Sequence, residues 1–500
     1  MKTQENPRTV VKDGDYLFSI RLGIGVLSVF FLAIIISRLT YPFDNGILEA
    51  YNWIPSSRLL AGENPYGAPF SPPYSMSPYG VVFYALIGTG IKIFGYQFWW
   101  GRLLSVAGFI VCLAAVRKIA LRLTKSRPAA WAALLAGLAM FPGQFWIASM
   151  RSDLIAVAFA FSAVALAFAI EKNEKTPPAR MAGMILLAGA AFFTKQTILL
   201  PVLIIFLRFF QLDKRRDAGF FALSFATLAV CGTLLLNYTS GGNYFWQHFT
   251  HAERLPHSWL DALGFFFWLL QLSVFFFALL FISIYLYRRG GLLYATRRVR
   301  LPNLWRSPKL LILLYFCLSL GWAFVSAGRV GANVNYYLEN SFVAALLCGF
   351  VFDDFRARAA RLPALAMVAL LSLGGAYQMT RVLRGEYYRW EALDYYREIY
   401  DTAARLIPPG SACVSTNAEL AVWNGCELHF DDFSEYSVGW SPELRAIFDR
   451  EIGEGRYAAI FWSDDLSAQF PNYRPVPMST SLPKMYYPVY LYVRAEQPAQ

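Results

Sequence analysis

The sequence predicts a polytopic α-helical membrane protein with a small α/β domain at its C-terminus. Three observations carry that reading. The 500 residues are 57% apolar and only 16% charged, with a mean hydropathy of +0.40, too little polar surface to cover a water-soluble body. The apolar residues fall in runs long enough to cross a bilayer. The 45 Lys and Arg, set against 33 Asp and Glu for a formal charge of +12, sit in short clusters between those runs, as in cytoplasmic loops. No basic stripe marks a nucleic-acid surface.

Length is the first test of each segment, because a membrane helix needs about 20 apolar residues to cross about 30 Å of hydrocarbon. Residues 17–39, 99–121, 129–148, 154–170, 220–236, 263–287, 310–327, 338–352 and 363–379 read as spans. The opening residues 1–16 are too long and too acidic for a signal segment, so the first span is expected to be retained. Val81 to Phe94 is too short, contains two glycines and carries Lys92. The cluster Arg117, Lys118, Arg122, Lys125 and Arg127 should be cytoplasmic, which leaves Val81 to Phe94 as an interfacial helix on the outer leaflet. Residues 181–210 are interrupted by Thr194-Lys195-Gln196-Thr197 and flanked by cations at both ends. They read as a hairpin of two short helices with Lys195 at its outer tip. The expected count is about eleven spans, with a cytoplasmic N-terminus.

The division is a transmembrane domain over residues 1–380, with its first outer loop at 40–98, and an extracytoplasmic α/β domain over 381–500. In the latter, residues 391–406, 418–423 and 443–452 read as helices, and 411–415, 426–430 and 457–462 as strands. Cys413 and Cys426 start adjacent strands outside the reducing cytosol, where both a disulfide and two packed thiols fit. Cys112, Cys231, Cys317 and Cys348 lie in apolar helices, where a thiol packs.

Under this topology the unusual polar residues gather at the outer mouth of the bundle. They are Asp44 and Glu49 in the first loop, Arg151 and Asp153 in the second, and Lys195 at the hairpin tip. His248, His251, Glu253, Arg254 and His257 follow in the next loop, with Arg329, Tyr336, Tyr337 and Glu339 in GRVGANVNYYLEN. Singly, each is equally well explained by solvation or snorkelling at a membrane boundary; convergence of five loops is what favours a site. A carboxylate facing several cations there suits cleavage of a bond from sugar to lipid phosphate. Cations would stabilise charge developing on the phosphate, and the carboxylate would take the proton of the attacking hydroxyl. Asp44 is the expected base, and Lys195, Arg254 and Arg329 the phosphate group. Asp153 reads either as a second acid or as the N-cap of the following helix. His251 with Glu253 is too small a set to indicate a metal, so no cofactor is required, although a divalent ion could be held. No Gly-rich phosphate loop, Ser-His-Asp set or Cys-x-x-Cys pair competes.

The sequence resembles the GT-C membrane glycosyltransferases. The resemblance rests on the acid just after the first span and on Gly-x-Asn-Pro-Tyr at residues 62–66. It is also carried by Ser-Pro-Tyr-Gly at 77–80 leading into the interfacial helix, and by Phe94-Gly95 and Arg102-Leu103 entering the next span. It continues through MRSD, FFTKQT, THAER and GRVGANVNYY, and is nearest the bacterial branch related to the aminoarabinose and protein mannosyl transferases. The chain departs from that pattern at Met76 and Ser77, where relatives carry a charged residue before proline. The resemblance implies transfer of a sugar from a polyprenyl-phosphate donor to a lipid, glycan or protein acceptor on the outer face of a bacterial inner membrane. It matches Asp44 to the catalytic acid, and Lys195, Arg254, Arg329 and Tyr336 or Tyr337 to positions lining the donor-phosphate cavity. It matches His251 to a histidine that can take part in metal binding. Glu49 and His251 complete the expected substrate-binding set.

Two other classes compete. A transporter or lipid flippase would show repeated halves and ionisable residues near the bilayer midplane, and neither is evident here. A noncatalytic scaffold presenting the C-terminal domain would tolerate any change at Asp44.

Overall fold

The computed structural model describes residues 13–45, 49–72, 74, 76–250, 256–271, 274, 278–279, 281–282, 307–329, 332–358, 360–430, 442–462, 472–480 and 489–495. The chain opens with α1 (Asp13–Thr40), followed by a 3-10 turn (Ala50–Asn52) and then by α2 (Trp53–Leu60) and α3 (Val81–Phe94). The membrane-type helices continue with α4 (Phe98–Thr124), α5 (Arg127–Ala139), α6 (Phe141–Trp146), α7 (Ser152–Ala167), α8 (Pro178–Thr194), α9 (Leu200–Gln211) and α10 (Arg215–Thr239). After them come α11 (Trp259–Gln271), α12 (Pro308–Ala327), α13 (Leu338–Ala357) and α14 (Arg361–Glu391). Among the described residues, five helical stretches are long and apolar enough to cross a membrane outright, and five further apolar helices are shorter. Phe18, Val29 and Leu32 on α1 and Leu223, Leu234 and Leu235 on α10 are exposed, as residues facing lipid tails are. The inner helices differ. Every third or fourth position of α5 and α7 is alanine, and most of their residues are buried, which allows the close backbone approach that packs helices in lipid.

Two expectations change against the structure. The predicted span 129–148 is broken: the chain leaves the helix at Met140 (φ −74°, ψ 125°) and restarts as α6. Pro142 has no N–H to give a continuing helix and would clash with the preceding turn. Gln144 Nε2 satisfies the carbonyls left over, donating to Leu138 O at 3.1 Å and Ala139 O at 3.0 Å. The boundary at residue 380 falls inside α14, which runs unbroken to Glu391 because no proline interrupts it. The count of about eleven spans is not settled by helix length alone, and residues 283–306, with much of the expected cytoplasmic loop, lie outside the described residues.

After α14 the chain forms α15 (Leu393–Leu406), β1 (Ala412–Ser415), α16 (Ala418–Trp423), β2 (Glu427–Phe430), α17 (Pro442–Gly453), β3 (Ala459–Trp462), β4 (Tyr473–Pro475) and β5 (Tyr490–Arg494). The sheet order is β2-β1-β3-β5-β4, with β1 parallel to both neighbours and β5 antiparallel to both of its own. Both faces are buried. Cys413, Ala459, Phe461, Leu491 and Val493 pack with α15 and with Phe43 and Trp53 of the first loop. The alternate residues Val414, Ile460, Trp462 and Tyr492 pack with α17 and with Tyr74 and Met76 of the same loop. The first loop therefore grips both faces of the sheet, and Met76 is a core residue there. Cys413 and Cys426 are free thiols.

Candidate functional site

The loops that carry Asp44 and Arg151 are held by a buried arginine four residues into α4. Arg102 is fully buried and donates to the carbonyls of Arg38 at 2.6 Å, Tyr41 at 2.5 Å and Phe43 at 2.6 Å, and to Glu49 Oε2 at 2.6 Å. A guanidinium can serve that many acceptors where an ammonium cannot. Glu49 in turn accepts from Asn45 N at 3.1 Å and Met150 N at 2.5 Å. Asn45 and Asn52 then reach across to the carbonyls of Ala148 at 3.3 Å and Met150 at 3.2 Å. Ala148 sits at φ +52°, a conformation that costs a non-glycine residue about 1–3 kcal/mol and persists only where its surroundings fix it. Glu49 is thus an internal tie between the two loops and does not reach the crevice where substrate would sit.

From this frame Asp44, half-buried, turns its carboxylate inward. Its Oδ2 accepts from the backbone N–H of Glu49 and, at 3.1 Å, from that of Ala50, which starts the 3-10 turn and fixes the orientation of the group. Arg151 lies within electrostatic reach of both Asp44 and Asp153, its Nε 3.9 Å from Asp153 Oδ2 and its guanidinium 5.3 Å from the rings of Tyr79 and Trp146. Asp153 Oδ1 pairs with Lys195 Nζ and accepts from Asn335 Nδ2 at 2.7 Å. The Lys195 ammonium lies 4.7 Å from the centre of the Tyr336 ring. Asp44, Arg151, Asp153 and Lys195 form one line of alternating charge.

Asp153, Lys195, Asn335, Tyr336, Glu339 and Trp322 line a small open crevice. Tyr315 donates to Glu339 at 2.7 Å at its floor. The hairpin tip is set by Gly80, whose N–H bonds Thr194 O at 3.1 Å; a Cβ there would stand 1.9 Å from Phe193 O.

The structure brings Asp153, Lys195 and Tyr336 into the lining of one crevice, while Asp44 lies outside that lining and is linked to it through Arg151, which is within electrostatic reach of both acids. Tyr337 turns the other way, fully buried among the bundle's apolar residues, because neighbours on a 3-10 turn point to different sides. Arg329 is exposed beside the short bridge it makes with His257, beyond the crevice lining. His251, Glu253 and Arg254 lie outside the described residues. Arg102 and Asn335 join the arrangement without having been expected; a lone arginine inside an apolar span was the available signal for the first. Among the described residues no three His, Cys, Asp or Glu side chains gather as metal ligands.

No family model matches the sequence, and no curated protein is significantly similar to it. Solved structures are similar in fold. ArnT from Cupriavidus metallidurans bound to undecaprenyl phosphate aligns with a TM-score of 0.62 at 13% identity, over 95% of this chain and 99% of that one. The apo state of the same protein gives 0.61 at 15% identity, over 94% and 97%. The apo oligosaccharyltransferase of Archaeoglobus fulgidus gives 0.51 at 13% identity, over 89% of this chain and 70% of the other. These alignments cover nearly the whole chain, so the chain shares the overall fold of these solved structures.

Proposed function

We propose that this protein is a membrane glycosyltransferase that moves a sugar from a polyprenyl-phosphate donor to an acceptor at the outer face of a bacterial inner membrane. The observation that carries the reading is the charged set Asp44, Arg151, Asp153, Lys195, in which a half-buried acid lies within electrostatic reach of Arg151, and Arg151 reaches in turn the Asp153–Lys195 pair that lines the crevice. It stands on a fold shared over nearly the whole chain with a protein solved with undecaprenyl phosphate bound.

In the proposed step the acceptor hydroxyl attacks the anomeric carbon while its proton passes to the Asp44 carboxylate. The bond from that carbon to the phosphate oxygen breaks, and the electron pair leaves with the lipid phosphate. Lys195 and Arg151 offset the charge that develops there; such preplaced charges act strongly because apolar surroundings screen them poorly. Asp153, tied to Lys195 and Asn335, orients the cation. Tyr336 walls the donor side.

The test is Asp44→Asn. The amide oxygen can still accept from the N–H groups of Glu49 and Ala50, so the unfolding midpoint should stay within about a degree or two. A general base contributes about 10²–10⁴-fold to rate, and transfer from a polyprenyl-phosphate sugar should fall by that factor. Full activity in this variant rules out the assignment of the base.

A further inference from the structure

Asp44 ends the charged set described above on one side, and there a hydrogen bond links its backbone to the C-terminal domain. Glu419, in the first turn of α16, is 1% exposed. Its Oε1 accepts the backbone N–H of Asp44 at 3.3 Å, across 375 residues of sequence. Its other oxygen, Oε2, is enclosed without a hydrogen-bond partner among the described residues. A buried carboxyl oxygen left unmatched calls for an explanation. The remainder of α16 carries no charge, and the 3-10 turn it rests on, Ala50–Asn52, carries none either. Two acids therefore meet where the first loop touches the C-terminal domain, and the nearest guanidinium to the loop, Arg102, is committed to Glu49 and to three carbonyls.

We propose that Glu419 is a positioning residue for Asp44, through which the C-terminal domain fixes the loop that carries the reacting acid. This rests on the glycosyltransferase reading only for its kinetic consequence. The grip itself is geometric: the loop between α1 and the 3-10 turn is anchored from the membrane side by Arg102 and from the opposite side by Glu419.

The protonation of the pair follows from its surroundings. Burial first, and the negative charge of Asp44 second, push the Glu419 carboxyl up to about 8, against the opposing pull of Asn417 and of backbone N–H groups. The charged groups facing it are accounted for. Asp44 is one, and Glu49 is neutralised by Arg102. On α15, which packs against α16, Asp394, Arg397, Glu398, Asp401 and Arg405 line an open surface groove. Burial and the neighbouring Asp44 therefore favour the uncharged form of Glu419 near neutral pH. Raising the pH past 8 ionises Glu419 and sets a like charge against Asp44.

The experiment compares the full-length protein with Glu419→Gln and Glu419→Ala. Gln keeps the oxygen that accepts from Asp44 N and matches the uncharged acid; Ala removes it. Amide hydrogen exchange of residues 41–50 needs no substrate: Ala should speed exchange at Asp44 at least 10-fold while Gln leaves it unchanged. Unchanged protection in the Ala variant overturns the proposal. On a polyprenyl-phosphate donor, Ala should lower kcat at least 10-fold at unchanged donor KM. Gln should stay within about 3-fold of wild type and lack the decline in rate expected of wild type above pH 8. A Gln profile identical to wild type on the alkaline side also overturns it. Should wild type itself move no sugar, the functional reading fails, and the exchange measurement alone decides the role of Glu419.

Discussion

Arg102 shows how much a single residue does for this site. It lies in a helix of membrane-crossing length, fully buried, and its hydrogen bonds go to the end of α1 at Arg38 and to the first loop at Tyr41, Phe43 and Glu49. Removing one member of a buried pair leaves the other charge uncompensated, at about 3–5 kcal/mol. Arg102→Leu is therefore expected to destabilise the protein by about that amount, through Glu49 stranded in the interior. Arg102→Lys should recover only part of the loss, because one ammonium cannot replace a planar fork that reaches three carbonyls and a carboxylate. Thermal unfolding of the purified protein in detergent measures both. A lysine variant as stable as wild type would mean that charge alone, and not the fork, holds the loop. Asp44 gains from this arrangement because Arg102 fixes the carbonyl of Phe43 immediately before it and the carboxylate of Glu49, whose backbone N–H donates to the Asp44 side chain.

At the scale of elements, the crevice depends on where the first loop meets the α8–α9 hairpin. Gly80 is the point of contact: its N–H bonds Thr194 O, and a methyl group on it would sit 1.9 Å from Phe193 O and 2.3 Å from the Phe193 carbonyl carbon. Those are backbone atoms, which cannot rotate aside. Gly80→Ala is expected to push the end of α8 away, moving Lys195 relative to Asp153, with the 1–3 kcal/mol cost usual for overpacking and a loss of transfer of at least 10-fold. Activity and unfolding midpoint measured on the same preparation check it; a variant that loses stability but keeps full activity would place the Lys195–Asp153 pair outside the reaction. The elements themselves were largely legible in the sequence. Run length and cation clusters gave the long helices and the hairpin with Lys195 at its tip, and alternation gave β1, β2 and β3 nearly to the residue. The site was legible in part, since Asp44, Asp153, Lys195 and Tyr336 could be read from loop position. Glu49, Tyr337 and Glu419 could not. Whether a polar side chain faces a cavity, a guanidinium or the apolar core is settled by packing between segments hundreds of residues apart, and no local pattern carries that information. The break at Met140 was visible in Pro142, but the apolar run around it outweighed a single proline.

Across the whole molecule, the charge line, the crevice mouth, the first loop and the C-terminal sheet belong to one continuous body. The first loop buries Phe43 and Trp53 against one face of the sheet and Tyr74 against the other, and Tyr74 donates to Glu451 at 2.5 Å. Glu451 is itself paired with Arg456 and Tyr457. A domain joined in this way must lie on the same side of the membrane as Asp44. The positive clusters, in contrast, sit at the far ends of the helices: Lys125 follows α4, Arg127 opens α5, and Arg356 and Arg358 close α13. Cations on the cytoplasmic side would then put the site and the sheet outside. Single cysteines report this directly in a background whose six native cysteines are replaced by serine or alanine. Glu63 and Glu427 are exposed on the site side and Lys125 is exposed at the opposite end. In intact cells a membrane-impermeant maleimide should label Glu63→Cys and Glu427→Cys, and should label Lys125→Cys only after the membrane is opened. The reverse pattern would place Asp44 in the cytoplasm and remove the outer-face donor from the proposal. Labelling of Glu63→Cys and Glu427→Cys from different sides would contradict the shared core, because a sheet buried on both faces by one loop cannot be parted from it by a bilayer.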